Sequence, residues 1–283
     1  MISQEFEFHA PKQLSEALNL LRRYGDDAKV LAGGMSLVPL MTLGLLQPKV
    51  IVSFNHIREL DYVNEDKTML RIGAMTRHAT IRSHPLISRH CPLLAEAASY
   101  VGDVQVRNRG TIGGSLAHAD PAADYPPVML ATGAQVKLQS AKGERVVKMR
   151  DFLKGLMQTD LQAGELLTEI QIPKLADGCG SSYQRLHRVE GNFAIVNAAA
   201  VIEKGFKTAR LALGGVGETA VLVDLSKRLS KGASDEALRG VSDDAYAASH
   251  DAYGDLNGDA DYRKAMARVY AQRVVKAAAG KVG

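Results

Sequence analysis

The chain has 283 residues, of which 46% are hydrophobic and 23% charged, a composition typical of a globular protein and not of a disordered one. Two cysteines, Cys91 and Cys179, cannot supply a four-thiolate iron–sulfur cluster or a disulfide framework, so we expect this chain to hold no metal site. The formal net charge is only +4 and no dense basic run occurs, which argues against nucleic acid as a partner.

Hydrophobic spacing predicts alternating helices and strands, in one large domain or two to three lobes. In the first part of the chain the expected helices are 14–21, 37–43 with Ser36 as its cap, 78–87 and 93–101. The expected strands there are 29–32, 50–52 and 68–72, and a loop is expected over 102–109.

The second part is predicted to contain more strands. The expected strands are 133–138, 166–172, 181–188 and 208–213, with a strand and a short helical turn over 146–153. Residues 193–203 fit either a strand or a helix, and 242–261 fit a surface loop or short capped turns. Residues 262–278 have the spacing of an amphipathic helix whose apolar stripe should cover a sheet.

Two glycine motifs lie between apolar segments, the first at residues 32–36 (Ala-Gly-Gly-Met-Ser) and the second at 111–115 (Thr-Ile-Gly-Gly-Ser). Glycine lets the main chain approach a ligand closely, and successive N–H groups in a tight turn can bind an anion. Neither motif has the spacing of a Rossmann fingerprint or a P-loop. The two motifs together favour a diphosphate site, although a glycine pair also serves as a simple tight turn.

The segment after the second motif is small and polar, and it precedes the apolar residues 128–131. Asp124 is a candidate acceptor for ribose or ribityl hydroxyls, with a turn or helix-cap role as the alternative. For Asp120, next to Pro121, the turn role is the favoured interpretation. His118 is interpreted as a packed or hydrogen-bonded loop residue and not as a catalyst.

These motifs resemble those of the FAD-binding medium subunits of molybdenum hydroxylases, the family of carbon monoxide dehydrogenase and xanthine dehydrogenase. Residues 32–37 and 107–115 look like the two flavin motifs of that family, and 118–124 continues the match. Further matching segments are Glu165-Leu166-Leu167, Arg185, residues 193–196, residues 212–217 and Tyr262-Arg263-Lys264. The resemblance covers essentially the whole chain, in order.

The resemblance implies an α+β fold, with a two-lobed FAD-binding domain of the PCMH type followed by a C-terminal domain that combines a small antiparallel sheet with helices. The implied domain limits are 1–175, with lobes at about 1–55 and 56–175, and then 176–283. No catalytic side chain is implied. The implied FAD-binding residues are Val30, Leu31, Ala32, Gly33, Gly34, Met35, Ser36, Leu37, Val101, Thr111, Gly113, Gly114, Ser115, Asp124, Leu167 and Arg185.

Two positions depart from the pattern of the family. Met35 stands where relatives often have a polar side chain, which puts one hydrogen bond to the cofactor in doubt. Arg185 stands where many have lysine, so the positive charge is kept but its donors have a different geometry.

The resemblance also implies partners: a small subunit with [2Fe–2S] clusters and a large subunit with molybdopterin, as a dimer of heterotrimers. Electrons would pass from the clusters through FAD to quinone, NAD, cytochrome or oxygen. Residues 1–11 lack the pattern of a signal peptide, and no apolar run is long enough to cross a bilayer. A cytoplasmic protein is therefore expected, and any association with the inner face of the membrane would be made through the complex.

Two alternatives stay open from the sequence. The first is a free-standing FAD-dependent oxidoreductase of the same fold that binds its own substrate. The second is a non-catalytic nucleotide-binding or assembly module.

Overall fold

The computed structural model describes residues 4–283, so residues 1–3 of the predicted first lobe lie outside the described part. The chain forms three main sheets in succession. The first is a three-stranded parallel sheet in the order β1-β3-β2. Its elements are β1 (Glu7–His9), α1 (Leu14–Tyr24), β2 (Ala28–Leu31), α2 (Leu37–Thr42) and β3 (Val50–Ser53).

The second sheet has five antiparallel strands in the order β4-β5-β10-β6-β7, and a small hairpin, β8-β9, accompanies it. Its strands are β4 (Val63–Glu65), β5 (Met69–Gly73), β6 (Gln135–Ser140), β7 (Gly143–Lys148), β8 (Leu153–Gly155), β9 (Gln158–Thr159) and β10 (Leu166–Pro173). Its helices are α3 (His78–Ser83), α4 (Pro85–His90), α5 (Pro92–Tyr100), α6 (Val104–Arg109), α7 (Ile112–His118), α8 (Tyr125–Thr132) and α9 (Met149–Phe152).

The third sheet has four antiparallel strands in chain order, and two long helices follow it. These elements are β11 (Gly180–Leu186), β12 (Val196–Ile202), β13 (Ala209–Gly214), β14 (Val221–Asp224), α10 (Asp235–Ala248) and α11 (Ala260–Ala279). Helix α11 packs on β11 and β12, which confirms the predicted covering helix.

Helix α8 lies between the second and third sheets. All of its residues are buried, and it packs against β12 and β13 on one side and β10 on the other. A helix that is apolar all round is expected in such a position. Because α8 begins directly after Asp124, this packing fixes the position of that carboxylate in the molecule.

The α+β fold is confirmed, and most predicted elements form where their spacing placed them. For residues 193–203, where the sequence fitted either a strand or a helix, the structure shows a strand over Val196–Ile202. The predicted limits at residues 55 and 175 stay predictions.

Four local predictions were wrong. The helix expected over 78–87 is interrupted at His84, because Pro85 starts a new helix there. Residues 102–109 contain α6, which Asp103 caps by accepting a hydrogen bond from Val106 N at 2.7 Å. Part of the expected loop 242–261 belongs to α10. Ser36 occupies the N-cap position of α2 but makes no capping hydrogen bond.

Candidate functional site

A cavity of about 540 Å³ opens between the first and second sheets, within the size range of small-molecule sites. Both glycine motifs line it. A Cβ atom built on Gly33 would lie 2.7 Å from Gly110 Cα and still closer to the carbonyl oxygen of Arg109. Only glycine therefore allows the main chain of the first motif to pack against the segment that leads into the second.

The first motif presents main-chain donors to this cavity. Within residues 4–283, no N–H group of residues 32–36 donates to a protein acceptor. Gly34 has a φ of +79°, a conformation that glycine adopts without strain. Successive N–H groups in such a bend form a concavity that suits an anion.

The second motif was expected to be a tight turn with main-chain N–H groups free for an anion. The structure instead shows it as the start of helix α7. Thr111 Oγ1 caps this helix by accepting from Gly114 N at 3.2 Å. The N–H groups of Ile112 and Gly113 donate to Thr76 O at 3.1 Å and Ala74 O at 2.9 Å. These amides already donate to protein oxygens and are not free to bind a ligand. The second motif therefore contributes its hydroxyl groups and a surface that packs closely against the cavity.

The two glycine motifs place three hydroxyl groups at the cavity, those of Ser36, Thr111 and Ser115. The Thr111 oxygen accepts from Gly114 N, which leaves its proton available to another acceptor. Together with the amides of residues 32–36, this donor set fits a diphosphate such as that of FAD.

Asp124 also lines the cavity, where it belongs to a buried polar cluster. Its Oδ1 accepts from Tyr183 Oη at 2.5 Å, and both carboxylate oxygens lie 3.1 Å from Arg185 Nη1. Burial raises the pKa of Asp124, and the charge of Arg185 opposes that rise. Oδ2 receives only the Arg185 bond within the described residues, so it has capacity for a ligand hydroxyl.

Twelve of the predicted residues line the cavity and four do not. Those lining it are Val30, Ala32, Gly33, Gly34, Met35, Ser36, Leu37, Val101, Thr111, Gly114, Ser115 and Asp124. Gly113 packs against Ala74, and Leu167 belongs to the core of the second sheet. Leu31 lies at the end of β2 behind Gly34, and Arg185 acts through Asp124.

Several residues that line the cavity were not predicted from the sequence. Lys29 lies on β2, His78 begins α3, and Asn192 and Phe193 lie in the loop between β11 and β12. The Phe193 side chain is 53% exposed although it is large and apolar. The signal of this loop in the sequence was the match of residues 193–196 to the family, which was not carried over to the FAD-binding residues.

The C-terminal region supports two walls of the cavity. Arg263, from α11, donates to Ile195 O at 2.5 Å and to Gly215 O at 3.0 Å. Gly215 N in turn donates to Pro121 O at 2.8 Å, in the segment that leads to Asp124. The glycines at 214 and 215 therefore mark a turn that connects the third sheet to the cavity.

Comparison with known proteins identifies this arrangement. Residues 4–175 match the family described as the FAD binding domain in molybdopterin dehydrogenase. Residues 181–278 match the CO dehydrogenase flavoprotein C-terminal domain. The chain belongs to this molybdopterin dehydrogenase flavoprotein family. As a member, it carries an FAD-binding domain and is part of an oxidoreductase.

Individual members of the family resemble the chain over nearly its whole length. The carbon monoxide dehydrogenase medium chain of Hydrogenophaga pseudoflava is 41% identical, with 98% of each chain covered. A solved structure of carbon monoxide dehydrogenase from that organism, lacking the Mo-pyranopterin moiety of its cofactor, superposes with a TM-score of 0.96 at 40% identity, covering 100% of both chains. The 6-hydroxypseudooxynicotine dehydrogenase complex subunit alpha of Paenarthrobacter nicotinovorans is 36% identical, covering 95% of this chain and 93% of that one.

The stability of the chain should fall in mild acid because of His78. Burial, with Arg77 and Arg107 nearby, lowers the pKa of His78 from 6.5 to about 4. Between these values the unfolded chain binds a proton that the folded chain does not, so the free energy of unfolding falls as pH decreases. We expect a loss of about 3 kcal/mol between pH 7 and pH 4 from this group.

Urea unfolding of the purified chain at several pH values measures this effect. The variant His78→Gln has no group that titrates at this position, so its pH dependence should be shallower than that of the natural chain. Equal pH slopes for the two proteins would contradict the assigned origin of the effect.

Proposed function

We propose that the chain is the FAD-binding medium subunit of a heterotrimeric molybdenum hydroxylase and relays electrons from the [2Fe–2S] clusters of a small subunit to an external acceptor. A large molybdopterin subunit would complete the heterotrimer, and two heterotrimers would form the dimer. The observation that carries the proposal is the meeting of the two glycine motifs around free main-chain donors. The relatives named as a medium chain and as a complex subunit support the assembly.

The residues of the chain act by binding and orienting the cofactor. The amides of residues 32–36 and the hydroxyls of Ser36, Thr111 and Ser115 would hold the diphosphate. Asp124 would accept a hydroxyl, held in place by Arg185 and Tyr183. Bound FAD supplies the exchange between one-electron and two-electron transfer.

The proposal leaves substrate oxidation to the large subunit. Arg263 and α11 of the C-terminal region have structural roles, since Arg263 binds main-chain carbonyls and α11 covers the third sheet. A free-standing oxidoreductase would instead bring catalytic side chains to the flavin. Purification separates these alternatives, because a chain that turns over substrate alone would favour the free-standing enzyme.

The direct experiment is to purify the chain with its partners and record its visible spectrum. We expect a red-brown complex that contains FAD, [2Fe–2S] clusters and molybdopterin, and a flavin that is reduced when the complex receives its substrate. Testing quinone, NAD, cytochrome and oxygen as oxidants would identify the acceptor. A colourless chain after incubation with FAD would favour the assembly module and contradict the proposal.

Gly114→Asp should give a complex that is poor in flavin. A Cβ at this position would lie 2.8 Å from Thr111 Oγ1 and 3.5 Å from Ala32 Cβ, so the carboxylate would enter the space between the motifs. There it would repel a diphosphate. Flavin content per complex and turnover with the acceptor should both fall about tenfold or more.

Gly280→Asp is the matched control, since it introduces the same charge where the nearest atom to a Cβ is 3.6 Å away. It should retain FAD. Normal flavin content in Gly114→Asp would count against the diphosphate assignment.

A cytoplasmic location, with any membrane association made through the complex, belongs to the same proposal. Both cysteines of the chain are free thiols, as is usual in a reducing compartment. Within residues 4–283, no helix combines the length and the apolarity needed to span a membrane. Cell fractionation with an antibody against the chain tests the location.

A further inference from the structure

A buried histidine at the cavity wall has no role in the binding scheme above. His78 is 4% exposed, yet it lines the cavity. Its main-chain N–H donates to Gly110 O at 3.1 Å, so the residue is attached to the segment that enters the second motif.

Tyr125 determines which nitrogen of His78 carries the proton. The Tyr125 hydroxyl lies 2.8 Å from His78 Nδ1, and within the described residues it has no other hydrogen-bond partner. Tyr125 is fully buried, so its hydroxyl proton must be donated to Nδ1 to be satisfied. The remaining ring proton then resides on Nε2. Since burial lowers the pKa of His78 to about 4, the ring is neutral at physiological pH.

The Nε2 atom lies at the junction of the two glycine motifs. It is 2.6 Å from the position that a Cβ on Gly110 would occupy, so glycine is required there for the ring to fit. Gly110 Cα in turn lies against Gly33 of the first motif. No acceptor for Nε2 exists among residues 4–283, although a donor that faces a partly buried site needs one.

We propose that the Nε2–H group of His78 donates a hydrogen bond to the diphosphate of the flavin nucleotide, and that Tyr125 is the positioning residue that fixes this proton. The inference rests on the proposed function, because it requires FAD in the cavity. The surrounding groups support an anionic acceptor, since the amides of residues 32–36 and the hydroxyl of Thr111 are donors as well. A neutral imidazole also costs less to bury than a cation would.

The test uses the purified complex after removal of its FAD. FAD binding is titrated by flavin fluorescence, and ADP-ribose, which has the diphosphate but no flavin, is titrated as a competitor. His78→Phe keeps a ring and removes the donor, and it should raise the Kd of both ligands about 10- to 100-fold. His78→Gln provides an amide N–H and should restore the Kd of both ligands to within about threefold of the natural complex.

Tyr125→Phe tests the positioning role. It should raise the Kd of FAD several-fold in the natural complex and have no effect on Kd when His78 is already phenylalanine. A structural role alone would instead lower the thermal unfolding temperature of both single variants and leave their Kd values unchanged. Additive effects of the two substitutions on Kd would overturn the role of Tyr125.

The remaining outcomes separate this inference from the proposed function. If the natural complex binds FAD and His78→Phe binds it equally well, the inference is overturned and the proposed function stands. If the natural complex binds no FAD, both fall. Should His78→Phe fail to assemble, His78→Met also lacks a donor, and equal Kd values for His78→Met and His78→Gln would overturn the inference.

Discussion

Replacing Gly33 with alanine is expected to weaken FAD binding by about a hundredfold while the rest of the chain keeps its fold. The added Cβ would stand 2.7 Å from Gly110 Cα and closer still to Arg109 O. Both atoms belong to the main chain and cannot rotate away as a side chain would. The two glycine motifs must therefore separate, and the main-chain donors of residues 32–36 lose their place beside the second motif.

Arg77 makes this separation costly. Its Nη1 donates to Arg109 O, and its Nη2 donates to Asn55 Oδ1 at 3.0 Å. One guanidinium therefore connects the residues that follow β3 to the segment that leads into the second motif. A displaced Arg109 carbonyl would break this bridge. We expect the damage in Gly33→Ala to be concentrated at the cavity, because the hydrophobic cores of the three sheets do not include residue 33.

The measurement is the Kd of FAD for the FAD-depleted complex, followed by flavin fluorescence, together with the thermal unfolding temperature. Gly280→Ala is the matched control, since Gly280 has an ordinary φ of −67° and room for a Cβ. It should bind FAD like the natural complex. If Gly33→Ala also binds FAD normally, close contact between the motifs is not what forms the site.

Local patterns in the sequence predicted the elements whose stability depends on one apolar face. Helix α11 was predicted because its residues recur at helical spacing, and the helix forms, but the face that packs on the third sheet is not the predicted one. The structure buries Ala267, Ala271 and Val274 there. Of these only Val274 belongs to the predicted stripe, which was Tyr262, Ala265, Met266, Val269, Tyr270, Arg273, Val274 and Ala277. Helix α6 was missed because its only apolar residues, Val104 and Val106, are two positions apart, which is not the spacing of a helical stripe. The hydrogen bond from Val106 N to Asp103 is local, but the same residues in the sequence would also suit a loop.

The chemistry of the cavity depended on contacts that no local pattern contains. The glycine pairs indicated where the main chain approaches a ligand. The close packing of Gly33 on Gly110, just before the second motif, agrees with that interpretation. The sequence could not show that Ala74 and Thr76 occupy the amides of the second motif. It could not show the bond of His78 to Tyr125 either, because these residues are 47 positions apart.

Removing either partner of the Asp124–Arg185 pair is expected to destabilise the chain by about 3–5 kcal/mol. The Arg185 side chain is completely buried and that of Asp124 is 5% exposed. In Asp124→Ala the guanidinium would keep its charge, its carboxylate partner would be lost, and the Tyr183 hydroxyl would lose its acceptor. In Arg185→Met the carboxylate would face burial with only Tyr183 as a donor.

The double variant Asp124→Leu with Arg185→Met distinguishes a charge effect from a packing effect. If each single change lowers the free energy of unfolding because it leaves one buried charge unpaired, removing both charges should recover a large part of the stability. The double variant should then be more stable than either Asp124→Leu or Arg185→Met. Urea unfolding of the four proteins measures this coupling. Additive losses would mean that the two side chains serve as separate packing elements.

The same four proteins relate the pair to the cofactor. Arg185 also donates to Asn192 O at 3.0 Å, so the pair links the segment before α8 to the loop that carries Phe193 at the cavity. The stability recovered by the double variant should therefore not restore FAD affinity, because a leucine cannot accept a cofactor hydroxyl. A double variant that is stable and also binds FAD normally would show that Asp124 supports the fold without contacting the ligand.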